Sequence, residues 1–129
     1  MDNKKAAVYI RVAHADDMAM ETQTEMVMRF ANAEGYTVSD CYSDNGENGN
    51  TLDRPEMKRL ISDIYSGKIK TIIAKDTTRL ARDLLLRIKF LNEMREYGVT
   101  VITVHEGEIN PFIENNISNL LLNRKRVMV

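Results

Sequence analysis

Cysteine, long apolar runs and net charge are all scarce in this sequence, and each shortage excludes a class of protein. The lone Cys41 cannot close an intramolecular disulfide. No apolar run approaches the roughly 20 residues that a membrane-spanning helix needs, and the N-terminus does not resemble a signal peptide. Eighteen basic and nineteen acidic residues leave a formal charge of −1, so any anion binding must be local. We expect a cytoplasmic protein without membrane contact.

The remaining composition and patterning predict one α/β domain. The chain has 129 residues, of which 43% are hydrophobic and 29% charged, enough for a single globular core. Strand and helix periodicities alternate along it, which predicts a mainly parallel β-sheet sandwiched by helices. The predicted strands cover residues 6–12, 36–42, 70–75 and 99–104, and the predicted helices cover residues 20–34, 55–67, the stretch ending at 98, and a segment from 112.

Arginines follow several of the predicted strands. Arg11 lies near the end of the first strand, and "KDTTRLARD" at 75–83 follows the third strand with Arg79 and Arg82. Their spacing of three residues predicts that both share one face of a first helical turn. Arg54 precedes the Pro55 helix. The carboxyl ends of parallel strands meet at one edge, so four guanidiniums are predicted to converge on an anion, with a phosphodiester as the natural ligand.

Each arginine taken alone has a more ordinary interpretation as a solvated or ion-paired surface group. Arg11 could pair with the carboxylates after the second strand, and Arg79 and Arg82 with those beside them in the chain. The carboxylates in question are Asp40, Asp44, Asp76 and Asp83. Only the joint pattern favours a binding site.

That joint pattern resembles the catalytic domain of serine site-specific recombinases, the resolvase and invertase family. The matching segments are "VYIRV" at 8–12, Gln23, "YSDNGENG" at 42–49, "LDRPEMKRLISDI" at 52–64 and "KDTTRLARD" at 75–83. Together they span about residues 6–105, and the "DRP" and "RLAR" signatures look like the large transposon recombinase subgroup.

The resemblance implies DNA cleavage and strand exchange through a 5′-phosphoserine intermediate, without metal or cofactor. By the same resemblance, Arg11, Arg54, Arg79 and Arg82 would hold the scissile phosphate, with Gln23 assisting at the edge of the site. Thr78 occupies a position where many relatives carry an acid or a hydroxyl residue, so a carboxylic general acid there is not expected.

The nucleophile position departs from the family pattern. The family carries "R-V-S", whereas this sequence has Arg11, Val12 and Ala13. A methyl group cannot attack phosphorus, so we expect the chain as it stands to be inactive. His14 is predicted to be a surface residue, and Thr22 and Thr24 to make local hydrogen bonds. An engineered substitution, a naturally inactivated relative and a different catalytic residue all remain open.

The C-terminal segment is the second departure. The resemblance predicts a catalytic domain over residues 1–111 and the start of an interface helix over 112–129, with downstream DNA-binding domains absent. "NRKR" at 123–126 fits phosphate contact through Arg124, Lys125 and Arg126, although cations also suit a helix C-terminus. The expected partners are double-stranded DNA, bound through the full-length protein, and further copies in a homodimer that becomes a tetramer during strand exchange.

Two other classes of function were weighed. A non-catalytic regulatory or dimerisation module derived from the family is supported by Ala13. A phosphoacceptor receiver domain would need an acidic pocket after the first strand, where Arg11 lies instead, so it is set aside. His14, Cys41 and His105 form no metal-ligand spacing, and no metal site is predicted.

Overall fold

The structure, a computed structural model, describes residues 4–109, in which helices and strands alternate. The elements are β1 Lys5–Val12, α1 Asp17–Ala33, β2 Thr37–Asn45, α2 Pro55–Tyr65, β3 Thr71–Ala74, α3 Thr77–Leu80, α4 Leu84–Glu96, β4 Thr100–Thr103 and β5 Gly107–Glu108. Within this range no helix is both long and apolar enough to cross a membrane. The helix predicted from 112 and the basic residues at 123–126 lie outside the described residues.

The strands form one sheet in the order β2-β1-β3-β4-β5. The pairs β1–β2, β1–β3 and β3–β4 are parallel, and β5 pairs antiparallel with β4. The predicted mainly parallel sheet is therefore confirmed, and β2 lies at one edge of it. The pattern analysis missed β5 because two residues are too few to show a periodicity.

Alternation along β1 assigns its side chains to two separate cores. Ala7 and Tyr9 pack on the face covered by α2 and α4, whereas Val8 and Ile10 pack on the face covered by α1. Successive side chains of a strand point to opposite faces, so one buried strand serves both layers. Arg11 continues the series of Ala7 and Tyr9, which directs it toward the α2 and α4 side.

The segment after β3 corrects one sequence prediction. Arg79 and Arg82 do not share a helical face, because Ala81 is extended (φ −153°, ψ 126°) and ends α3 after four residues. The N–H of Arg82 bonds to the carbonyl of Gly49 at 2.7 Å, and Asp83 caps a new helix by accepting from the N–H of Leu86. Two helix starts close together in sequence thus replace the single helix that the spacing suggested.

Candidate active site

Three segments meet at the carboxyl edge of the sheet, as the sequence predicts. They are the end of β1 with exposed Ala13, the loop between β2 and α2, and α3 with the chain that follows it. The arginines brought together there are Arg11, Arg54, Arg79 and Arg82. They differ in exposure, and this difference separates their possible roles.

Arg11 is buried, and its guanidinium is directed at backbone carbonyls. Its Nη2 donates to the carbonyl of Thr78 at 2.7 Å, its Nε to that of Arg79 at 2.9 Å, and its Nη1 to that of Glu47 at 3.1 Å. Only 3% of the residue is exposed. Burial lowers the pKa of Arg11, and the positive charge of Arg54 lowers this pKa further. The side chain links β1 to α3 and to the loop after β2.

Arg54 is completely buried and binds the same short helix from the other side. Its Nε donates to the carbonyl of Thr51 at 2.8 Å and its Nη1 to the hydroxyl of Tyr9 at 2.7 Å. Its Nη2 donates to the carbonyl of Leu80. The sequence predicts that both Arg11 and Arg54 bind a phosphate. Instead, their donors bind protein oxygens, since buried charges need partners of this kind.

Tyr9 and Asp44 complete the buried network, and sequence analysis assigned neither to the site. The hydroxyl of Tyr9 donates to Oδ2 of Asp44 at 2.6 Å while it accepts from Arg54. Burial raises the pKa of Tyr9 far above its usual value, and the hydrogen bond to Asp44 adds to this effect. Tyr9 was detectable as the residue two positions before Arg11, on the same strand face.

Asp44 also supports the helix that Arg54 precedes. Its two carboxylate oxygens accept from the backbone N–H of Glu56 at 2.9 Å and of Met57 at 3.0 Å. A carboxylate favours the positive end of a helix, so Asp44 caps α2 from a neighbouring strand. Sequence analysis weighed Asp44 as an ion-pair partner of Arg11, but its hydrogen bonds go to Tyr9 and α2.

Gln23 holds the backbone of Arg11 by two hydrogen bonds. Its Oε1 accepts from the N–H of Arg11 at 3.2 Å, and its Nε2 donates to the carbonyl of Arg11 at 3.1 Å. The last residue of β1 that pairs with β3 is Tyr9, which is opposite Ala74. Beyond that pair, the amide of Gln23 supplies the hydrogen bonds that a longer β3 would have supplied.

Of the four arginines at this sheet edge, Arg79 and Arg82 are the two that solvent reaches. The Arg79 side chain is 25% exposed, its Nη1 donates to the carbonyl of Arg11 at 3.1 Å, and its Nε lies 3.8 Å from Oδ2 of Asp76. That Nε is buried and has no hydrogen-bond acceptor among residues 4–109. Arg82 is exposed. These two guanidiniums can therefore face an anion.

Thr78 and Asp76 cap the short helix between these arginines and the sheet. The N–H of Thr78 donates to Oδ1 of Asp76 at 3.0 Å, and its hydroxyl donates to the same oxygen. Burial favours the neutral acid, but the hydrogen bonds from Thr78 and the charge of Arg79 prevail and lower the pKa of Asp76. Thr78 is thus engaged in capping.

A groove of about 480 Å³ adjoins the end of β1, and its lining includes Val12, Thr22, Gln23, Lys75 and Arg79. Two cations, a hydroxyl and the carboxylate of Asp16 thus line open space next to residue 13. Thr24 makes the local hydrogen bond predicted for it, to the carbonyl of Met20 at 2.7 Å. Across the described part of the chain, no cluster of three His, Cys, Asp or Glu side chains could hold a metal ion.

Comparison with known protein families gives one extended match. The model of the family described as Resolvase, N terminal domain, matches residues 6–127. A curated relative from Bacillus subtilis (strain 168), named "Putative DNA recombinase", is 28% identical over 103 residues. The match covers 77% of this chain and 20% of the relative, so the chain spans about a fifth of that protein's length.

Solved structures share the fold. The N-terminal catalytic domain of TP901-1 Integrase has a TM-score of 0.89 and 24% identity, covering 98% of this chain and 100% of the other. A resolvase family site-specific recombinase from Streptococcus pneumoniae has a TM-score of 0.78 and 25% identity, covering 96% and 90%. The C-terminal catalytic domain of ISC1926 TnpA, an IS607-like serine recombinase, has a TM-score of 0.68 and 22% identity, covering 78% and 68%.

Proposed function

This chain belongs to the resolvase family of serine recombinase catalytic domains, and we propose that it holds a scissile DNA phosphate beside residue 13, where alanine replaces the nucleophile. One observation carries the proposal. Arg79, from the segment after β3, donates to the carbonyl of Arg11, which places its guanidinium at the end of β1 just before exposed Ala13. A phosphate bound by this arginine would lie close to the side chain of residue 13.

The four arginines take two different parts in this proposal. Arg79 and Arg82, which solvent reaches, contact the phosphate oxygens. Arg11 and Arg54 lie beneath them, hold the carbonyls of α3 and add positive potential to the site. Donors and charges fixed before the reaction stabilise the charge that develops on the phosphate, and such preorganisation is commonly the largest catalytic contribution.

With serine at position 13, the reaction would proceed without cofactor. The serine oxygen would attack phosphorus, the bond to the 3′ oxygen would break, and that oxygen would leave as a hydroxyl with the proton lost by serine. A phosphoserine link to the 5′ end would remain, and the reverse attack would rejoin the strands. Ala13 has no oxygen, so this chain would bind the phosphate and form no adduct.

The remaining family properties are proposals of the same kind. The catalytic domain would occupy residues 1–111, and an interface helix would begin in 112–129 with Arg124, Lys125 and Arg126 near DNA phosphates. Double-stranded DNA would bind through a longer protein. Copies of the chain would pair as a homodimer and exchange strands as a tetramer, in the cytoplasm.

Restoring the hydroxyl tests the proposal without knowledge of the DNA target. The A13S variant is incubated with bis(4-nitrophenyl) phosphate, a phosphodiester with a good leaving group, and analysed by intact mass and peptide mapping. We expect a covalent aryl phosphate on position 13 and release of nitrophenolate. A15S is the matched control, because Ala15 is also exposed and lies two residues further on.

Two experiments could contradict the proposal. The first is the labelling experiment, in which an unlabelled A13S or an equally labelled A15S would do so. The second comes from the unchanged chain: titration with inorganic phosphate should shift the guanidinium NMR signals of Arg79 and Arg82, and signals that do not move would exclude a phosphate site there.

A non-catalytic regulatory or dimerisation module is the second candidate. Ala13 favours it, and so do the exposed apolar residues at the start of α4, since Leu84 is 46% exposed and Leu85 is 56% exposed. Adjacent exposed leucines are typical of protein contact surfaces. This candidate predicts that the unchanged chain slows strand exchange by an active relative through mixed dimers, and that L84E/L85E abolishes the effect.

A further inference from the structure

The candidate site depends on a helix that is too short to hold itself. A single turn fixes several backbone dihedrals for very few hydrogen bonds, so the four residues of α3 need partners from elsewhere. The carbonyls of Thr78, Arg79 and Leu80 on this turn accept from Arg11 and Arg54. Whatever fixes α3 therefore fixes the two buried arginines.

We infer that Glu106 is a positioning residue of the candidate active site, which anchors α3 from the turn after β4. Its Oε1 accepts from the N–H of Thr77 at 3.2 Å, and its Oε2 accepts from the hydroxyl of Thr77 at 3.4 Å. Thr77 is the first residue of α3, so the contact is made at the helix N-terminus. The inference rests on the proposed function for its catalytic meaning.

Thr103 holds the carboxylate of Glu106 in place. Its hydroxyl donates to Oε1 of Glu106 at 2.8 Å and accepts from the N–H of Glu106 at 2.9 Å. Thr103 is fully buried at the end of β4, and Thr77 is 9% exposed. Although the Glu106 residue is exposed, its carboxylate thus bridges two buried hydroxyls, one on a strand and one on α3.

The backbone places this turn beside α3. Beyond β4, the N–H of Val104 donates to the carbonyl of Ala74 at 3.0 Å, and the N–H of His105 to that of Lys75 at 3.1 Å. The two strand ends thus stay side by side until Glu106 reaches the start of α3. Asp76 accepts from the second N–H of α3, that of Thr78, and Glu106 accepts from the first.

Loss of the Glu106 carboxylate should speed the hydrogen exchange of Arg11 and Arg54. A hydrogen bond to a charged group stabilises the segment that makes it. Its loss raises the equilibrium constant for local opening of that segment about tenfold or more. In E106A we expect the Nε–H protons of Arg11 and Arg54 and the amides of α3 to exchange with solvent at least about tenfold faster. The amide of Val8, in the middle of β1, serves as the internal reference and should change far less.

Two further variants separate positioning from general stability. E106Q retains a side-chain oxygen for the N–H of Thr77 and should restore most of the slow exchange. E108A is the matched control, because Glu108 is an exposed glutamate two residues further on. If E106A does not fold, T103V removes the hydroxyl that orients the carboxylate and should give the same selective increase.

The measurement is nitrogen-15 NMR exchange on the unchanged chain and its variants, followed by titration with inorganic phosphate. Weaker phosphate-induced shifts at Arg79 in E106A, restored in E106Q, would support the inference. Unchanged exchange of the arginine protons, or an equal increase at Val8, would overturn it. The exchange measurement uses no ligand. Failure of A13S labelling would therefore contradict the proposed function alone. Normal A13S labelling with unchanged exchange in E106A would contradict only the positioning role of Glu106.

Discussion

Gly49 lies directly against the guanidinium of Arg11. A Cβ at position 49 would come within 2.6 Å of Arg11 Nη2 and 2.8 Å of Arg82 Cβ, and both distances are too short for real contacts. The carbonyl of Gly49 also accepts from the N–H of Arg82 at 2.7 Å. The loop after β2 therefore connects a buried arginine to an exposed one, and only glycine leaves room for both.

G49A should disturb the site and the fold together. The added methyl group must displace either Arg11 or Arg82, and overpacking of this kind costs about 1 to 3 kcal/mol. We expect a lower free energy of unfolding in urea and weaker phosphate-induced shifts at Arg79.

Gly67 provides the matched control for that substitution. Its φ of +83° makes alanine unfavourable there, but a Cβ at position 67 would meet nothing within 4 Å. G67A should lower stability by about 1 kcal/mol, because alanine is strained at positive φ, and should leave phosphate binding unchanged. Equal phosphate binding by G49A and the unchanged chain would contradict the close approach at Gly49.

Q23L should destabilise the end of β1. Leucine has a similar size but cannot bond to the N–H of Arg11, and a buried N–H without a partner costs about 2 kcal/mol. Chemical denaturation measures this change. T24V is the comparison on the same helix, because the hydroxyl of Thr24 bonds to the carbonyl of Met20 within α1 and its loss should change stability by less than about 0.5 kcal/mol. Similar unfolding free energies for Q23L and T24V would contradict a stabilising role for the hydrogen bonds from Gln23 to the backbone of Arg11.

Substitution of Arg82 should affect phosphate binding, whereas substitution of Arg54 should affect folding stability. R82Q alters an exposed side chain, so we expect stability within about 0.5 kcal/mol of the unchanged chain and a clear loss of phosphate affinity. R54M removes the buried hydrogen bonds to the hydroxyl of Tyr9 and the carbonyls of Thr51 and Leu80, and should cost about 3 kcal/mol because these acceptors lose their donor. Urea unfolding and phosphate titration of both variants distinguish the two effects. An R54M variant as stable as the unchanged chain would show that the buried network contributes little to the free energy of unfolding.

Asp76 should make stability depend on pH. Its pKa is lowered in the folded state, so its contribution is present above the ordinary pKa of aspartate and is lost as the pH falls through the lowered value. At pH 7, D76A should cost about 1 kcal/mol, the usual effect of losing an N-cap, and this difference should shrink in acid.

D53A is the control for that pH series. Asp53 pairs with Lys58 through side chains that are 76% and 64% exposed, so its loss should change stability little at any pH. A difference between D76A and the unchanged chain that stays constant from neutral to acid pH would contradict the pKa argument.

Local patterns in the sequence were sufficient for most of the architecture, apart from β5 and the break between α3 and α4. Alternating periodicities predicted the order of most strands and helices. The position of Arg11 at a strand end and of Arg79 after another strand predicted their meeting at one edge, because parallel strands share the direction of their carboxyl ends. Ala13 showed by itself that no hydroxyl stands at that position.

Only the tertiary structure decided where the donors point. The guanidiniums of Arg11 and Arg54 bind carbonyls of α3 that lie 25 to 68 residues away in sequence. No local period encodes such contacts, which exist only after β1, β3 and the loop before α2 have come together. Glu106 was missed for the same reason, since it caps a helix 29 residues away, and the part of Asp44 in capping α2 depends on how the loop between β2 and α2 folds back. The sequence determined which residue types stand at this sheet edge. The tertiary structure determined their hydrogen-bond partners, because an arginine buried on folding must bind whichever oxygens the fold brings within reach.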